Sequence, residues 1–240
     1  FWGDIINQHP ELVAELPRDM IGLLWGYEAE FPFAEQGERF ARAGVPFYMC
    51  PGTSSWNSIG VRTNNALGNL LSAAENGLKF GACGYLNTDW GDNGHWQVLP
   101  ISLLGFAAGA AYSWCLEVNR DVDIASALSW HGFEDRSGTM GRLAYDLGNA
   151  HLATGFTLHN ATVFHRLMVR SLRELPMLRG VENYNVNEAR GVLEACEGLL
   201  SAEKMKRTDA PLVHREFTNT LRLLRHACDR WEVAFGKADA

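Results

Sequence analysis

Between Asn87 and Trp96 the chain reads Asn-Thr-Asp-Trp-Gly-Asp-Asn-Gly-His-Trp, two indoles set among carboxylates, amides and an imidazole. Gly, Asn and Asp make an ordinary turn, but a turn rarely commits two tryptophans to solvent. Trp90 between Asp89 and Asp92 has the chemistry of a sugar subsite, an apolar platform for the C–H face of the ring with acceptors for its hydroxyls. The competing reading is a strand-to-helix loop in which Trp90 or Trp96 plugs the end of a barrel. His95 lies close to both acids. Three metal ligands crowded into one Gly-rich loop is the weaker interpretation, and a hydrogen bond to a substrate or to the loop backbone is the stronger one. Similar pairings recur upstream as Trp2 with Asp4, Trp25 with Glu28, and Trp56 with Asn57.

The elements that must position these residues alternate. Strand-like runs occupy Phe1–Ile6, Met20–Trp25, Val45–Cys50 and Phe80–Leu86, the last small, apolar and suited to burial on both faces. A short helical piece covers Glu11–Glu15. Helical spacing predicts helices over Phe33–Ala43, with Gly44 as its stop, over Thr63–Asn76, stopped by Gly77, and over Leu99–Trp114. Serial strand–helix order implies a parallel sheet, whose functional groups gather at the carboxyl ends of the strands. Each predicted strand ends in Trp plus a polar or acidic group, which favours a shared aromatic-lined pocket over four independent plugs. Asp4 and Glu28 are read as rim-ordering groups or as partners of Arg.

From Glu117 onward the pattern is helical only. Val122–Trp130, Gly141–Ala153, Thr162–Leu175, Asn187–Ser201 and Leu212–Phe235 carry repeated apolar spacings and predict a small bundle, structural or forming a homodimer surface. The 240 residues carry a formal charge of −7 with acids and bases interspersed, which argues against nucleic acid and anionic membrane as partners. The longest apolar run, Val98–Cys115, is rich in Gly and Ala and reads as a buried helix. Cys50, Cys83, Cys115, Cys196 and Cys228 are odd in number and lack zinc-site spacing, which fits buried thiols in a reducing, cytoplasmic compartment. A Cys50–Cys83 bridge is conceivable if their strands are neighbours. Cys50, followed by Pro51, reads as a packed thiol rather than a nucleophile, and the histidines show no Ser/His/Asp logic.

Phe1-Trp2-Gly3-Asp4-Ile5, Leu24-Trp25-Gly26-Tyr27, Phe47 to Trp56 and Asn87 to Trp96 resemble the last four strands of a glycoside hydrolase family 20 β-N-acetylhexosaminidase barrel. The resemblance covers roughly residues 1–115. It implies the last four βα units of a (β/α)8 TIM barrel over residues 1–116, followed by an all-α domain over 117–240. The implied activity is exo-acting and retaining, removing terminal β-linked N-acetylhexosamine from a glycan, with the substrate's own acetamido oxygen attacking the anomeric carbon. No cofactor or metal is implied. On this resemblance Trp2, Trp25 and Trp90 pack around the acetamido group and the sugar face. Asp92, where the family's usual Glu is shortened, accepts from the outer hydroxyls. Trp56, Asp89 and His95 complete the candidate substrate contacts. The family's acetamido-binding Tyr after its seventh strand is replaced by Thr53-Ser54-Ser55-Trp56-Asn57, which leaves Tyr27 or Tyr48 to supply the hydroxyl.

The family's general acid is the Glu of an Asp-Glu pair, and no such dipeptide occurs in the chain. The resemblance therefore implies a piece of a longer protein, with the acid upstream of Phe1 and the missing N-terminal half of the barrel as a partner. A non-catalytic carbohydrate-binding module with the same aromatic pocket is the alternative. A different barrel enzyme would need a phosphate-binding Gly loop or a Lys at a strand end, and neither is present.

Overall fold

The structure, a computed structural model, describes residues 1–236 as a mixed α/β chain in two compact units. The sheet unit comprises Phe1–Thr53, Asn64–Asp89 and Gly105–Val122. The helical unit comprises Asp123–Ala240 together with two upstream segments, Ser54–Thr63 and Trp90–Leu104.

The sheet unit is built on three parallel strands in chain order, β1 (Gly22–Trp25), β2 (Phe47–Cys50) and β3 (Gly84–Tyr85). Gly22 pairs with Phe47 and Trp25 with Cys50, while Tyr48 pairs with Gly84. Parallel bridges Trp2–Leu23 and Gly52–Thr88 extend this pairing. The predicted strand Phe1–Ile6 is thus reduced to one bridge. Gly3 turns the backbone after it, and Asp4 opens the helix α1 (Asp4–Asn7), where a carboxylate suits the first-turn dipole. Helix α2 (Phe33–Ala43) follows β1 and ends at Gly44, whose φ of 66° is the left-handed cap the sequence predicts.

Helix α3 runs from Thr63 to Phe80, through Gly77 rather than stopping there. Gly77 is a packing position: a Cβ would lie 3.3 Å from Met49 Cγ, and the left-handed turn comes at Gly81 with φ 73°. Phe80 is consequently helical, and the fourth predicted strand shrinks to Gly84–Tyr85, half-buried rather than covered on both faces. Leu24, Phe47 and Met49 join Val13, Phe33, Phe40, Val45 and Ala73 in the core of this unit. Gly22 and Gly26 let Phe40 and Phe31 approach the backbone where a Cβ would collide.

Helix α4 spans Leu99–Trp114, as predicted, and the short helices α5 (Leu116–Asn119) and α6 (Ile124–Ala127) follow. The helical unit continues with a π-turn over Leu128–Gly132, α7 (Thr139–Asn149), a 3-10 turn over Ala150–Thr154, α8 (Val163–Val169), α9 (Val186–Ser201) and α10 (Ala210–Phe235). The predicted helix Thr162–Leu175 ends at Val169 and a separate 3-10 turn holds Leu175–Met177. Leu143, Leu147, Leu193, Cys196, Phe217, Leu221 and Leu224 fill the bundle interior, and Phe133 meets Phe217 edge-on at 5.7 Å. Asp135 is fully buried beneath α7. Its carboxylate accepts backbone N–H bonds from Ser137, Thr139, Met140 and Lys204 at 2.7–3.1 Å. Burial pushes its pKa up, but the Ser137 hydroxyl and the backbone N–H bonds from Met140, Lys204 and Ser137 outweigh burial and hold it at about 2.

Among the described residues no helix is long and apolar enough to cross a membrane. Cys50, Cys196 and Cys228 are buried free thiols, and burial raises Cys50 to about 12. Two thiols depart from the buried-thiol expectation: Cys83, just before β3, is exposed and Cys115 is half-buried, and neither Cys83 nor Cys50 forms a bridge.

Candidate functional site

Parallel pairing brings the carboxyl ends of the sheet unit's strands to one edge. In β1 the alternation of burial sends Leu24 into the core and leaves Leu23 and Trp25 half-buried on the opposite face. Trp25 stacks on Tyr27 with ring centroids 5.3 Å apart, and its indole N–H donates to Asp4 at 3.4 Å. Trp2 precedes Asp4 and is 42% exposed. Asp4 is thus partnered by an indole rather than by Arg.

Tyr27 is held by helix α3. Asn65 Nδ2 donates to the Tyr27 carbonyl at 2.6 Å, and Asn65 Oδ1 accepts from Ala29 N at 2.9 Å. One turn later Asn69, fully buried, donates to the carbonyls of Gly26 (2.9 Å) and Glu28 (2.8 Å) and accepts from Gly52 N (3.1 Å). Two asparagines at i and i+4 therefore fasten the loop after β1 and the end of β2 to one helix face. The expectations above omit both residues, although amides repeated at that spacing beside an apolar helix stripe are a readable signal. Asp89 accepts from Thr53 Oγ1 at 2.5 Å, a contact that joins the segments beyond β2 and β3 within the sheet unit.

The remaining candidates, Trp56, Trp90, Asp92 and His95, belong to the helical unit. Trp56 is 1% exposed, and its indole N–H donates to Asn160 Oδ1 at 2.9 Å, so it braces its segment and offers no ring face to solvent. The whole run Ser54–Thr63 is buried. Four of its residues hold positive φ: Ser54 (57°), Asn57 (53°), Ile59 (71°) and Val61 (75°). For β-branched Ile59 and Val61 that conformation is strained and persists only where surrounding bonds over-determine it. Those bonds include Arg62 N to the Ser54 carbonyl (3.2 Å), Val61 N to Ser58 Oγ (2.8 Å) and Ser102 Oγ to Ser55 Oγ (3.0 Å).

Trp90 is 37% exposed, and its carbonyl accepts from Gln97 Nε2 at 2.6 Å. Asp92 is exposed at the start of a 3-10 turn, Asp92–Gly94. His95 sits at φ 54° with its ring over Gly91, which has no Cβ to obstruct it. Trp96 donates to the Asn93 carbonyl at 2.9 Å. Among the described residues no group of three or more His, Cys, Asp or Glu side chains is arranged to hold a metal ion.

Within each unit, then, chemistry-bearing groups lie at the surface: half-exposed indoles beside an acid and a tyrosine in one, an exposed indole near an acid and an imidazole in the other. No protein-family model matches the chain, and no curated protein is significantly similar to it.

Proposed function

We propose that this chain supplies the sugar-pocket wall of an exo-acting, retaining β-N-acetylhexosaminidase, as the last four βα units of a TIM barrel. The observation that carries the reading is the carboxyl-terminal edge of the parallel sheet, where Trp2, Trp25 and Tyr27 stand half-exposed beside Asp4, with Asp89 held by Thr53. Stacked aromatic rings next to carboxylates suit a pyranose, whose axial C–H groups need an apolar face and whose hydroxyls need acceptors. Within the helical unit, the same reading makes Trp90 a stacking surface of its own and Asp92 and His95 hydroxyl partners. Trp56 stabilises its loop from the interior.

The chemistry is substrate-assisted. The acetamido oxygen attacks the anomeric carbon as the glycosidic bond breaks, a general acid protonates the leaving oxygen, and water then opens the cyclic intermediate with retention. Residues 1–240 contain no Asp-Glu pair, so the reading takes the acid from strands outside them, which also cover the open sheet.

The test is hydrolysis of a chromogenic β-N-acetylglucosaminide by the full-length protein, with Trp25→Ala and Trp90→Ala alongside. Loss of turnover with circular dichroism unchanged supports the pocket. Activity untouched by both variants sinks it. Tryptophan fluorescence quenched by N-acetylglucosamine, in a full-length protein without hydrolysis, shifts the reading to a carbohydrate-binding module.

A further inference from the structure

The turn preceding α8 lies far along the chain from every strand-end loop, yet it makes their most specific contacts within the helical unit. Leu158 and Ala161 form an antiparallel bridge, and Asn160 sits at its tip with φ 52°. Its side-chain oxygen accepts the Trp56 indole N–H at 2.9 Å, and its carbonyl accepts from Asn57 Nδ2 at 3.3 Å. Asn57 Oδ1 in turn accepts from Asn93 Nδ2 at 2.9 Å, and the Asn93 carbonyl accepts from the Trp96 indole at 2.9 Å. Two residues on, Thr162 N donates to the Asn57 carbonyl at 2.9 Å and Thr162 Oγ1 to the Ser58 carbonyl at 2.9 Å, while Thr162 also caps α8.

We propose that Asn160 is a positioning residue that fixes the segments Ser54–Thr63 and Trp90–Gln97 through an amide chain running Asn160–Asn57–Asn93–Trp96. Asn suits this place on two counts. It tolerates the left-handed backbone, and its amide oxygen reaches a neighbouring donor while its carbonyl stays available to a second. The chain's last link ends on an exposed indole in the segment that carries Trp90, Asp92 and His95. A residue of the helical region thereby sets the pose of groups to which sugar recognition is assigned, and in that respect the inference rests on the proposed function.

The experiment compares Asn160→Gly, which keeps the backbone conformation and removes the acceptor, with Asn160→Asp, which keeps both. Readouts are the indole N–H resonances, with Trp56 and Trp96 assigned by Trp→Phe variants, and affinity for N-acetylglucosamine. Asn160→Gly is expected to shift the Trp56 signal, whose acceptor it removes, to shift that of Trp96 by a smaller step because the Asn160 carbonyl still holds Asn57, and to weaken sugar binding about fivefold, the scale of one lost hydrogen bond. Asn160→Asp is expected to restore both. Unchanged indole signals in Asn160→Gly, or sugar binding equal to wild type, overturn the proposal. If wild type binds no sugar, the sugar reading fails on its own, and the indole signals alone decide the positioning role. If Asn160→Gly does not fold, Asn93→Gly cuts the exposed end of the same chain. It should move the Trp96 signal and leave that of Trp56 in place; an unmoved Trp96 signal overturns the proposal.

Discussion

Trp25 ends strand β1 in the sheet unit and Trp56 lies beyond β2 in the helical unit, and each donates its indole N–H to a side-chain oxygen. For Trp25 the acceptor is exposed Asp4 at 3.4 Å, and the ring rests on Tyr27 with part of its surface open. For Trp56 the acceptor is Asn160 at 2.9 Å, and the ring is enclosed. On the proposed function, the difference is between recognition and rigidity. An aromatic that receives a ligand must keep a face unoccupied, which sacrifices burial energy. One that stiffens a strained loop contributes most when every face is packed and its polar atom bonded. The interior of the helical unit takes the second course, from buried Ser54–Thr63 to Asp135 with its backbone donors.

That contrast can be broken most sharply at Asp135. Asp135→Ala strands buried backbone N–H groups of Ser137, Thr139, Met140 and Lys204, and should cost about 3–5 kcal/mol in urea unfolding. A loss below about 1 kcal/mol would mean that the helical unit is not held by its polar interior. The same carboxylate predicts an acid limb. Its folded pKa lies below the ordinary 3.8, so its contribution is complete above that value and disappears as pH falls through about 2.

A second acid effect belongs to His151. Burial, with the Arg62 guanidinium adding to it, lowers its pKa from 6.5 to about 4, against a hydrogen bond to the Gly148 carbonyl. The unfolded chain takes up this proton first, so stability present above 6.5 should decline by about 2–3 kcal/mol as pH falls to about 4. Denaturation midpoints measured across that window should flatten in His151→Gln; an unchanged slope assigns it to other groups.

In the sheet unit, Asn69→Ala should cost about 2 kcal/mol, since it takes the Asn69 partner from Gly52 N and the Gly26 carbonyl and one of two donors from the Glu28 carbonyl, while leaving the hydrophobic core intact. Amide exchange at Gly52 is the local readout, and protection equal to wild type would remove Asn69 as a fastener. The smallest effects form the direct comparison. Trp56→Phe should lose about 1 kcal/mol with its buried hydrogen bond, whereas Trp25→Phe should lose less than about 0.5 kcal/mol. Equal losses would erase the distinction between the two indoles.

Part of this was legible locally. Phe33–Ala43 and Leu99–Trp114 are helices at the predicted bounds, and Gly44 is the left-handed cap, because apolar period and backbone permissiveness are properties of neighbouring residues. The parallel order of the strands followed from their alternation with helices. Strand extent did not. A run such as Phe80–Leu86 is apolar enough for strand or helix, and the packing of Gly77 against Met49 let α3 extend through Phe80. The Asn65–Asn69 pair was written in the helix spacing but gained meaning only from the carbonyls it reaches, 38 to 43 residues away.

The sequence by itself determined the periodic elements, their order, and the residue types at the strand ends, since each depends on contacts within a turn or two. Tertiary structure alone decided which of those residues keep an open face. Trp25 and Trp56 read alike, yet Trp25 keeps part of its ring open beside Asp4, whereas Trp56 is enclosed and bonded to Asn160, 104 residues downstream. Long-range hydrogen bonds of that kind leave no local periodicity, so burial and partnership at the candidate site emerge only when the chain has folded.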